Sequence, residues 1–448
     1  MKNKEIYELT PAQQVVNLQA MLSLHKNVVN IMSSMTFDED LDFEVLKQAF
    51  NKVAERNDCL CMRFFSKGFN VYQYFEDERT YDIPVFKFET EEEQMKFIQK
   101  QTKKPIAFKK GVVVEPIFIK TYNNKSMVLM KVCHLVLDIY GINMIYKDLY
   151  EVYKALKENK ELPPLPVSFE EVIKADIKKN HDEEYNKKNH EFFENLFKTN
   201  ENPYYAGIHG SDDKIWQKQL KKKRHAMKLF LVKNKTIGYS NEIKKEIADK
   251  VMSYCAQTKQ SPANFLFYCL SITASKMNNN VENMLPMELC NCRGTVQTKK
   301  VAGTKAQSAL CYTHIDYTKG FRENFNKFSN DQNALYRHVG YSDMKVQQLL
   351  HDIYKSKFTE IYYGIAYSFL PMMMPDGAEF MVYSNGHGAL PCYVAQLYNV
   401  KDGNIICAYD VQDETTKEEH VIKFHNNYLK VLNAVLENPD VNLNDIKF

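Results

Sequence analysis

The spacing of apolar residues along the chain predicts an alternation of helices and strands. The region 41–58 has an apolar stripe at helical spacing, formed by Leu46, Ala49, Phe50 and Val53. Residues 142–156 repeat this helical spacing. A polar and highly charged region, 168–198, also favours helix. The first half of the chain therefore contains several amphipathic helices, each with one face suited to a core.

Two apolar runs with a short polar turn between them predict a hairpin. The runs are residues 112–121 and Ser126–Cys133, and the turn between them is Asn123-Asn124-Lys125. The second run ends directly before His134. A histidine at the junction of a strand and a loop is held firmly and still left open to a substrate.

The second half of the chain repeats the mixture of helices and strands. Ser261-Pro262 is a helix start, with serine as the N-cap and proline at the first helical position. The stretch 157–166 is charged at first and then has three prolines in four residues, which predicts a linker between the halves. Strands are expected at 284–292, 379–383, 392–398 and 405–409, and a last helix at 421–435. The pattern predicts a mixed α/β (α+β) protein with an N-terminal lobe, 1–165, and a C-terminal lobe, 166–448.

Composition narrows the class of protein. A chain of 448 residues with 44% hydrophobic and 26% charged residues is typical of a two-domain globular protein. The net charge of +3 gives no general argument for nucleic-acid binding. No run of 18 apolar residues predicts a membrane span, and the N-terminal residues lack the apolar stretch of a signal peptide. We expect a cytoplasmic protein.

The ten cysteines are scattered, and their spacing does not predict a metal site. The two close pairs, Cys59/Cys61 and Cys290/Cys292, have C-x-C spacing rather than the paired C-x-x-C of a zinc site. Their apolar neighbours favour buried, reduced thiols. We expect no bound metal.

His134 and Asp138 form an H-x-x-x-D pattern, with Gly141 three residues further on. The unperturbed pKa of histidine suits proton transfer near neutrality. The plainer alternative is a core histidine next to a helix that Asp138 caps. Cys133 precedes the histidine, but adjacent strand residues point to opposite faces, which favours a buried thiol over a Cys-His nucleophile.

Several further segments occur in a characteristic order. Leu9-Thr10-Pro11-Ala12-Gln13-Gln14 opens the series, and H-x-x-x-D and the proline-rich linker follow. Asn291-Cys292-Arg293 and Tyr383-Ser384-Asn385-Gly386 lie in the second half. In this order the chain resembles the condensation-domain superfamily of nonribosomal peptide synthesis and its chloramphenicol-acetyltransferase-like relatives, from about Leu9 to Phe448.

The chain departs from the pattern of that superfamily at several places. Cys133 stands where a first histidine is usual, and Ile139 stands where glycine usually follows the aspartate. Asn57-Asp58 replaces the usual histidine after the first helix, and the C-terminal part has no D-F-G-W-G motif. These changes bear on substrate and activity more than on fold.

The resemblance implies two chloramphenicol-acetyltransferase-like lobes in a V with a tunnel between them. It implies acyl transfer from a thioester to an amine, with His134 as the base or as the group that positions the acceptor. The acyl or aminoacyl group would arrive on the phosphopantetheine of a separate acyl or peptidyl carrier protein, or on coenzyme A. We expect a free-standing monomer with no permanently bound cofactor.

The resemblance also implies roles for residues around His134. Asp138 would be structural and pair with an arginine, with Arg293 as the first choice and Arg63 as the second. Backbone N–H groups of Ile139, Tyr140 and Gly141 could stabilise an oxyanion or contact substrate. Asn385 could hold the lobes together or orient substrate.

Three alternatives stay open at this point. The chain could be a CoA-dependent O-acyltransferase that forms an ester, which donor preference would distinguish. It could be a non-catalytic recruitment domain, which the altered motif favours and the intact His134 and Asp138 disfavour. Dehydration or cyclisation at the same site is the third.

Three other features have a plain and a functional interpretation. The basic run Lys221-Lys222-Lys223-Arg224 could meet an acidic carrier protein or a CoA phosphate, although a solvated face is the commoner case. Met372-Met373-Met374 could line an acyl pocket or simply pack in a core. His387 is better explained as a loop histidine than as a group of the tunnel.

Overall fold

The computed structural model describes residues 4–77, 80–210, 225–228, 234–372, 375–399 and 402–448. The basic run at 221–224, Met373 and Met374 lie outside these ranges, so their two interpretations stay predictions.

Backbone contacts divide the chain into two compact units. The first unit runs to Glu183 and also takes in Asn291–Ala306 and a later segment that ends at His387. The second unit contains Glu184–Cys290, a middle segment that begins at Gln307, and Gly388–Phe448. The predicted lobe limits of 1–165 and 166–448 follow chain order, whereas these units follow contacts, and the limits stay a prediction.

The described residues form eleven α-helices and eighteen strands in an interleaved order. The helices are α1 Pro11–Leu22, α2 Phe43–Arg56, α3 Glu91–Lys103, α4 Ile139–Lys157, α5 Phe169–His181, α6 Glu183–Thr199, α7 Lys245–Thr258, α8 Pro262–Met277, α9 Phe321–Leu335, α10 Asp343–Tyr354 and α11 Glu418–Glu437. The strands are β1 Tyr7–Glu8, β2 Asn30–Phe37, β3 Met62–Lys67, β4 Asn70–Phe75, β5 Val85–Lys87, β6 Val114–Lys120, β7 Ser126–Cys133, β8 Met227–Lys228, β9 Thr236–Ile243, β10 Asn283–Met284, β11 Met287–Cys290, β12 Gln307–Leu310, β13 Thr313–His314, β14 Glu360–Ile361, β15 Ala366–Met372, β16 Ala378–Tyr383, β17 Cys392–Asn399 and β18 Ile405–Gln412.

The first unit is built around a five-stranded sheet with the order β16-β2-β7-β6-β5. β7 lies in the middle, antiparallel to β2 and β6, and every one of its residues is buried. On one face α3 contributes Ile98 to a core cluster with Met127 and Leu129 of β7. On the other face Tyr146 of α4 donates its hydroxyl hydrogen to the Ser33 carbonyl. β7 therefore delivers His134 from the most rigid part of the unit.

The second unit has a six-stranded mixed sheet with the order β12-β11-β15-β17-β18-β9. β15 is parallel to β11 and β17, and the remaining pairs are antiparallel. α8 is buried along nearly its whole length, and α7, α9 and α11 pack against it. The mixed helix and sheet fold predicted from the sequence is confirmed.

Most predicted elements form, and their limits change for local reasons. The hairpin of β6 and β7 and the hairpin of β17 and β18 are confirmed. α4 begins at Ile139, three residues before the predicted start, because Asp138 caps it. The region 168–198 is two helices that meet at Asp182. The strand predicted over 284–292 is divided into β10 and β11, and β11 ends at Cys290, two residues before Cys292, which has a positive φ of 52°.

Asp58, at one of the departures from the superfamily pattern, adds a second cap to α5, whose own N-cap residue is Ser168. Its carboxylate accepts hydrogen bonds from the N–H groups of Phe169 and Glu170, at 2.9 and 3.0 Å, and from the Ser168 hydroxyl at 2.6 Å. Arg56 donates to the carbonyls of Pro163 and Pro164. The end of α2 therefore fixes both the proline-rich linker and the start of the next helix.

The described ranges contain no membrane-crossing helix, no cluster of metal ligands and no disulfide. No helix there combines the length and apolar composition that a membrane crossing requires. No group of three or more histidine, cysteine or acidic side chains in the same ranges is arranged to hold a metal ion. The ten cysteines all lie in the described ranges and are not joined in disulfides.

Replacing Asp58 by alanine should weaken the start of α5, because three donors lose their acceptor. Loss of an N-cap carboxylate costs about 0.5–2 kcal/mol, so amide protection over Phe169–His181 should fall by about 2- to 30-fold in hydrogen exchange followed by mass spectrometry. Asp77→Ala, which removes an exposed carboxylate, is the matched control and should leave that protection unchanged. Equal protection of α5 in the wild type and Asp58→Ala would contradict the capping role.

Candidate active site

His134 is the first residue after β7, in a turn that leads into α4. Its backbone N–H donates to the Val29 carbonyl at 2.8 Å, which continues the pairing of β7 with the segment before β2. Gln13 donates its side-chain N–H to the carbonyl of Leu135 at 2.9 Å. The opening segment of the chain, singled out in the sequence for its resemblance, therefore supports the turn that carries the histidine.

The imidazole of His134 is partly exposed, while its Nδ1 atom is buried. Burial lowers the pKa of His134 below its ordinary value, against the opposing effect of the Asp138 charge. No side chain of the described residues bonds Nδ1, and the backbone groups of His134 and Leu137, which favour the protonated ring, do not outweigh the effect of burial on the pKa. The side chain is therefore neutral at pH 7, which is the form that accepts a proton.

Asp138 is fully buried and its two carboxylate oxygens accept five hydrogen bonds. Oδ1 accepts from the Gly141 N–H at 2.8 Å and from Arg293 Nη2 at 3.1 Å. Oδ2 accepts from Arg293 Nη1 at 2.9 Å and from the N–H groups of Lys305 and Ala306 at 2.9 and 3.0 Å. The carboxylate faces these donors and not His134.

The charge on Asp138 is kept by its partners. Burial by itself raises the pKa of a carboxyl, but the Arg293 charge and the hydrogen bonds outweigh it, and the pKa of Asp138 lies below its ordinary value. Of the two arginines considered, Arg293 is the one in contact. Arg63 instead pairs with Glu76 through Nε at 2.7 Å.

Arg293 is enclosed by three further groups. It donates to the carbonyls of Asn291 and Gly303, at 3.0 and 2.6 Å, and its guanidinium carbon lies 4.5 Å from the centroid of the Tyr140 ring. The Tyr140 hydroxyl donates to the Lys299 carbonyl at 2.8 Å. The side chain of Tyr140 therefore covers the ion pair, and only its backbone is left for a role toward substrate.

Two of the three backbone N–H groups that were expected as oxyanion donors at the N-terminus of α4 remain available. The Gly141 N–H is used by Asp138, and this cap occupies the third N–H of the helix. The N–H groups of Ile139 and Tyr140, at the first two helical positions, are not used by the cap. If an oxyanion binds at this terminus, these two groups are its donors.

Gly141 is needed because another backbone passes against it. A Cβ atom at this position would lie 2.8 Å from both the nitrogen and the oxygen of Gly303. Gly303 in turn lies against the Phe169 ring, which a Cβ atom there would approach to 2.3 Å. The two glycines allow α4, α5 and the segment 303–306 to meet.

Asn385 uses its whole amide to hold a returning segment of chain. Its Nδ2 donates to the Asn30 carbonyl at 2.9 Å, and its Oδ1 accepts from the His387 N–H at 2.9 Å. Asn27 donates to its backbone carbonyl at 2.9 Å. Within the first unit Asn385 therefore fastens the end of the segment that contains β16. A role of Asn385 toward substrate stays a prediction.

Cys133 and His387 take the plainer of their two interpretations. Burial raises the pKa of the Cys133 thiol to about 12, so it is not a thiolate nucleophile at neutral pH. The His387 ring stacks on His25, with 3.8 Å between the ring centroids.

Sequence reasoning missed the segment 303–306, which contributes two backbone donors and a hydroxyl to the His134 turn. The Thr304 hydroxyl donates to the His134 carbonyl at 2.5 Å. These residues lie about 165 positions beyond the motif in the chain, and no local pattern marks them. Gly303, between Ala302 and Thr304, was the one available signal of a close backbone approach.

Gly141→Ala should destabilise the first unit even though alanine favours helix by about 1 kcal/mol. The added methyl group would meet backbone atoms that cannot rotate away, and overpacking of this kind costs about 1–3 kcal/mol. Hydrogen exchange over the turn and the first turns of α4 should report the loss. Gly294→Ala is the control, because a Cβ atom there has open space. Equal protection in the two variants would contradict the close approach.

Comparison with known proteins agrees with this geometry. A family model described as Condensation domain matches residues 3–346. One of the proteins that make up plipastatin synthase in Bacillus subtilis (strain 168) is 19% identical over 446 residues. That match covers 98% of this chain and 17% of the relative, so the chain spans about a sixth of the length of that protein.

Solved structures of condensation domains have the same fold at low sequence identity. A variant of the starter condensation domain of rhizomide synthetase RzmA, in complex with C8-CoA and Leu-SNAC, has a TM-score of 0.81 at 12% identity and covers 99% of this chain and 97% of its own. The first condensation domain of the calcium-dependent antibiotic synthetase, with a substrate analogue, has a TM-score of 0.81 at 13% identity and 99% coverage of both chains. The condensation domain of the Monacolin K polyketide synthase MokA has a TM-score of 0.81 at 12% identity, over 98% and 99% of the two chains. With a family model that matches most of its length, the chain belongs to the condensation-domain family of acyltransferases, which form amide bonds.

Proposed function

We propose that this protein transfers an acyl or aminoacyl group from a thioester to an amine, with His134 at the reacting centre. The observation that carries the proposal is a neutral, partly exposed histidine at the end of a rigid, fully buried strand. The turn that presents it is anchored by the buried pair of Asp138 and Arg293. A preorganised neutral imidazole suits the removal of a proton from an attacking amine.

The proposed reaction balances without a metal or a redox cofactor. The amine nitrogen attacks the thioester carbonyl carbon, and its proton passes to His134 Nε2 as the new C–N bond forms. The tetrahedral intermediate then expels the sulfur as a thiolate, which takes the proton from the protonated His134, so the amide, the free thiol and neutral His134 remain. A positioned base contributes about 10²- to 10⁴-fold to such a step.

The developing oxyanion needs donors near the start of α4. The N–H groups of Ile139 and Tyr140 belong to the first helical turn, where the helix dipole also favours negative charge. His134 could alternatively orient the amine through a hydrogen bond without taking its proton. A pH–rate profile separates the two roles, as described below.

The donor we propose is a thioester of phosphopantetheine on an acyl or peptidyl carrier protein. The structural relative solved with C8-CoA and Leu-SNAC supports thioesters as the substrate class, since both ligands carry their acyl group on sulfur. The relationship to plipastatin synthase supports a carrier protein as the partner. Coenzyme A presents the same pantetheine arm and is the second candidate donor.

His134→Ala should lower thiol release from the preferred donor by about 10²- to 10⁴-fold, because that is the contribution of a positioned base. The measurement is thiol release from a panel of acyl-CoA and acyl-carrier thioesters with mixed amines and alcohols. The preferred donor selects between carrier protein and coenzyme A, and the product distinguishes an amide from an ester.

His181→Ala is the matched control, because His181 is an exposed histidine outside the site and should be dispensable. Equal thiol release by His134→Ala and the wild type would remove His134 from the mechanism. A wild type that releases thiol from no donor in the panel would favour a non-catalytic recruitment domain, the alternative that the changes at Cys133 and Ile139 suggest.

The pH profile should follow His134 if it acts as a base. Its pKa is lowered, so the neutral form is fully present at pH 7 and kcat/KM should be level there. The rate should fall only as the pH drops through that lowered pKa, below 6.5. The pKa of His134 itself is measured by NMR titration of histidine-labelled protein. A rate that stays constant while the pH falls through that pKa would indicate that His134 orients the acceptor rather than deprotonating it.

A further inference from the structure

The backbone of His134 is held at both of its polar groups. Its N–H donates to the Val29 carbonyl at 2.8 Å, and its carbonyl accepts from the Thr304 hydroxyl at 2.5 Å. The first bond restrains the peptide before the residue and the second restrains the peptide after it. Together they set φ and ψ of His134, and with them the direction in which its side chain leaves the backbone.

The imidazole is not oriented by a carboxylate. In many catalytic sites a carboxylate accepts from Nδ1 and fixes the ring. Here no side chain of the described residues bonds Nδ1, and the groups that interact with the ring are the backbones of His134 itself and of Leu137. The bonds to Asp138 come from Arg293 and backbone N–H groups. The position of the ring therefore depends on its backbone more than in a catalytic triad.

Thr304 is itself firmly placed. The residue before Thr304 in the chain, Gly303, accepts a hydrogen bond from Arg293 Nη2 at its carbonyl, at 2.6 Å. The residue after it, Lys305, donates its backbone N–H to Asp138. The Lys305 ammonium lies 2.5 Å from Asp176 of α5 and is almost fully buried. Thr304 is 1% exposed, so water does not compete for its hydroxyl.

We propose that Thr304 is a positioning residue, which orients the His134 imidazole by binding the His134 carbonyl. The inference rests on the proposed function of His134 and adds to it a residue that does not touch substrate. The ion pair of Asp138 and Arg293 then has a second task, because it holds the segment that presents Thr304.

The test compares Thr304→Val, which keeps the shape and loses the donor, with Thr304→Ser, which keeps the donor. With the preferred thioester, Thr304→Val should lower kcat by about 10- to 100-fold, because a misplaced catalytic group has an effect of this size. The KM for the donor should stay within about twofold of the wild-type value. Thr304→Ser should restore most of kcat. In protein labelled with 13C-histidine, the His134 Cε1 resonance, identified by its loss in His134→Ala, should move in Thr304→Val and return in Thr304→Ser.

Thr273→Val is the matched control. Thr273 also donates a buried side-chain bond to a backbone carbonyl, that of Cys269 at 2.8 Å, but within α8 of the second unit. It should leave kcat and the His134 resonance unchanged. If Thr304→Val does not fold, Thr304→Cys, whose thiol is a weak donor, is judged by the same criteria.

The outcomes separate this inference from the proposed function. An unchanged His134 resonance in Thr304→Val would overturn the positioning role, whether or not kcat falls. A resonance that moves in Thr304→Val and also in Thr273→Val would overturn it as well. If the wild type releases no thiol, the proposed function fails, while the resonance still decides whether Thr304 orients His134.

Discussion

A buried carboxylate that must keep its charge determines the arrangement of the whole site. Asp138 cannot remain ionised in the interior without donors, and removing one partner of such a pair costs about 3–5 kcal/mol. The donors come from three places in the chain: Gly141 in α4, Arg293, and the backbone of 305–306. Satisfying one side chain therefore draws distant segments of the second half of the chain onto the turn that carries His134.

This arrangement divides the labour between the two residues of the H-x-x-x-D pattern. The carboxylate of Asp138 holds the structure of the site together, whereas His134 is neutral and partly exposed. The same cap takes the Gly141 N–H and leaves those of Ile139 and Tyr140 at the positive end of the helix. The pair of Asp138 and Arg293 and the buried strand β7 both form with Cys133 and Ile139 at the two positions that depart from the superfamily pattern.

Local patterns predicted local structure well. The strand Ser126–Cys133, the cap at Ser261 and the last helix follow from periodicity and capping residues that act within a few positions. The pairing of Asp138 with Arg293 was expected only through the family resemblance, since 155 residues separate them. The contact of Thr304 with His134 had no signal at all, because a hydroxyl bound to a distant carbonyl leaves no mark in the sequence. The early start of α4 at Ile139 shows that a residue expected to pair with an arginine can cap a helix as well.

A double-variant cycle at Asp138 and Arg293 tests the central claim most directly. Asp138→Asn, Arg293→Met and the combined variant are compared by hydrogen exchange over the His134 turn and by thiol release. The account predicts that each single change destabilises the turn by about 3–5 kcal/mol and that the combined variant loses much less than the sum, because no unpaired charge remains buried. Additive losses, with no coupling between the two residues, would contradict it.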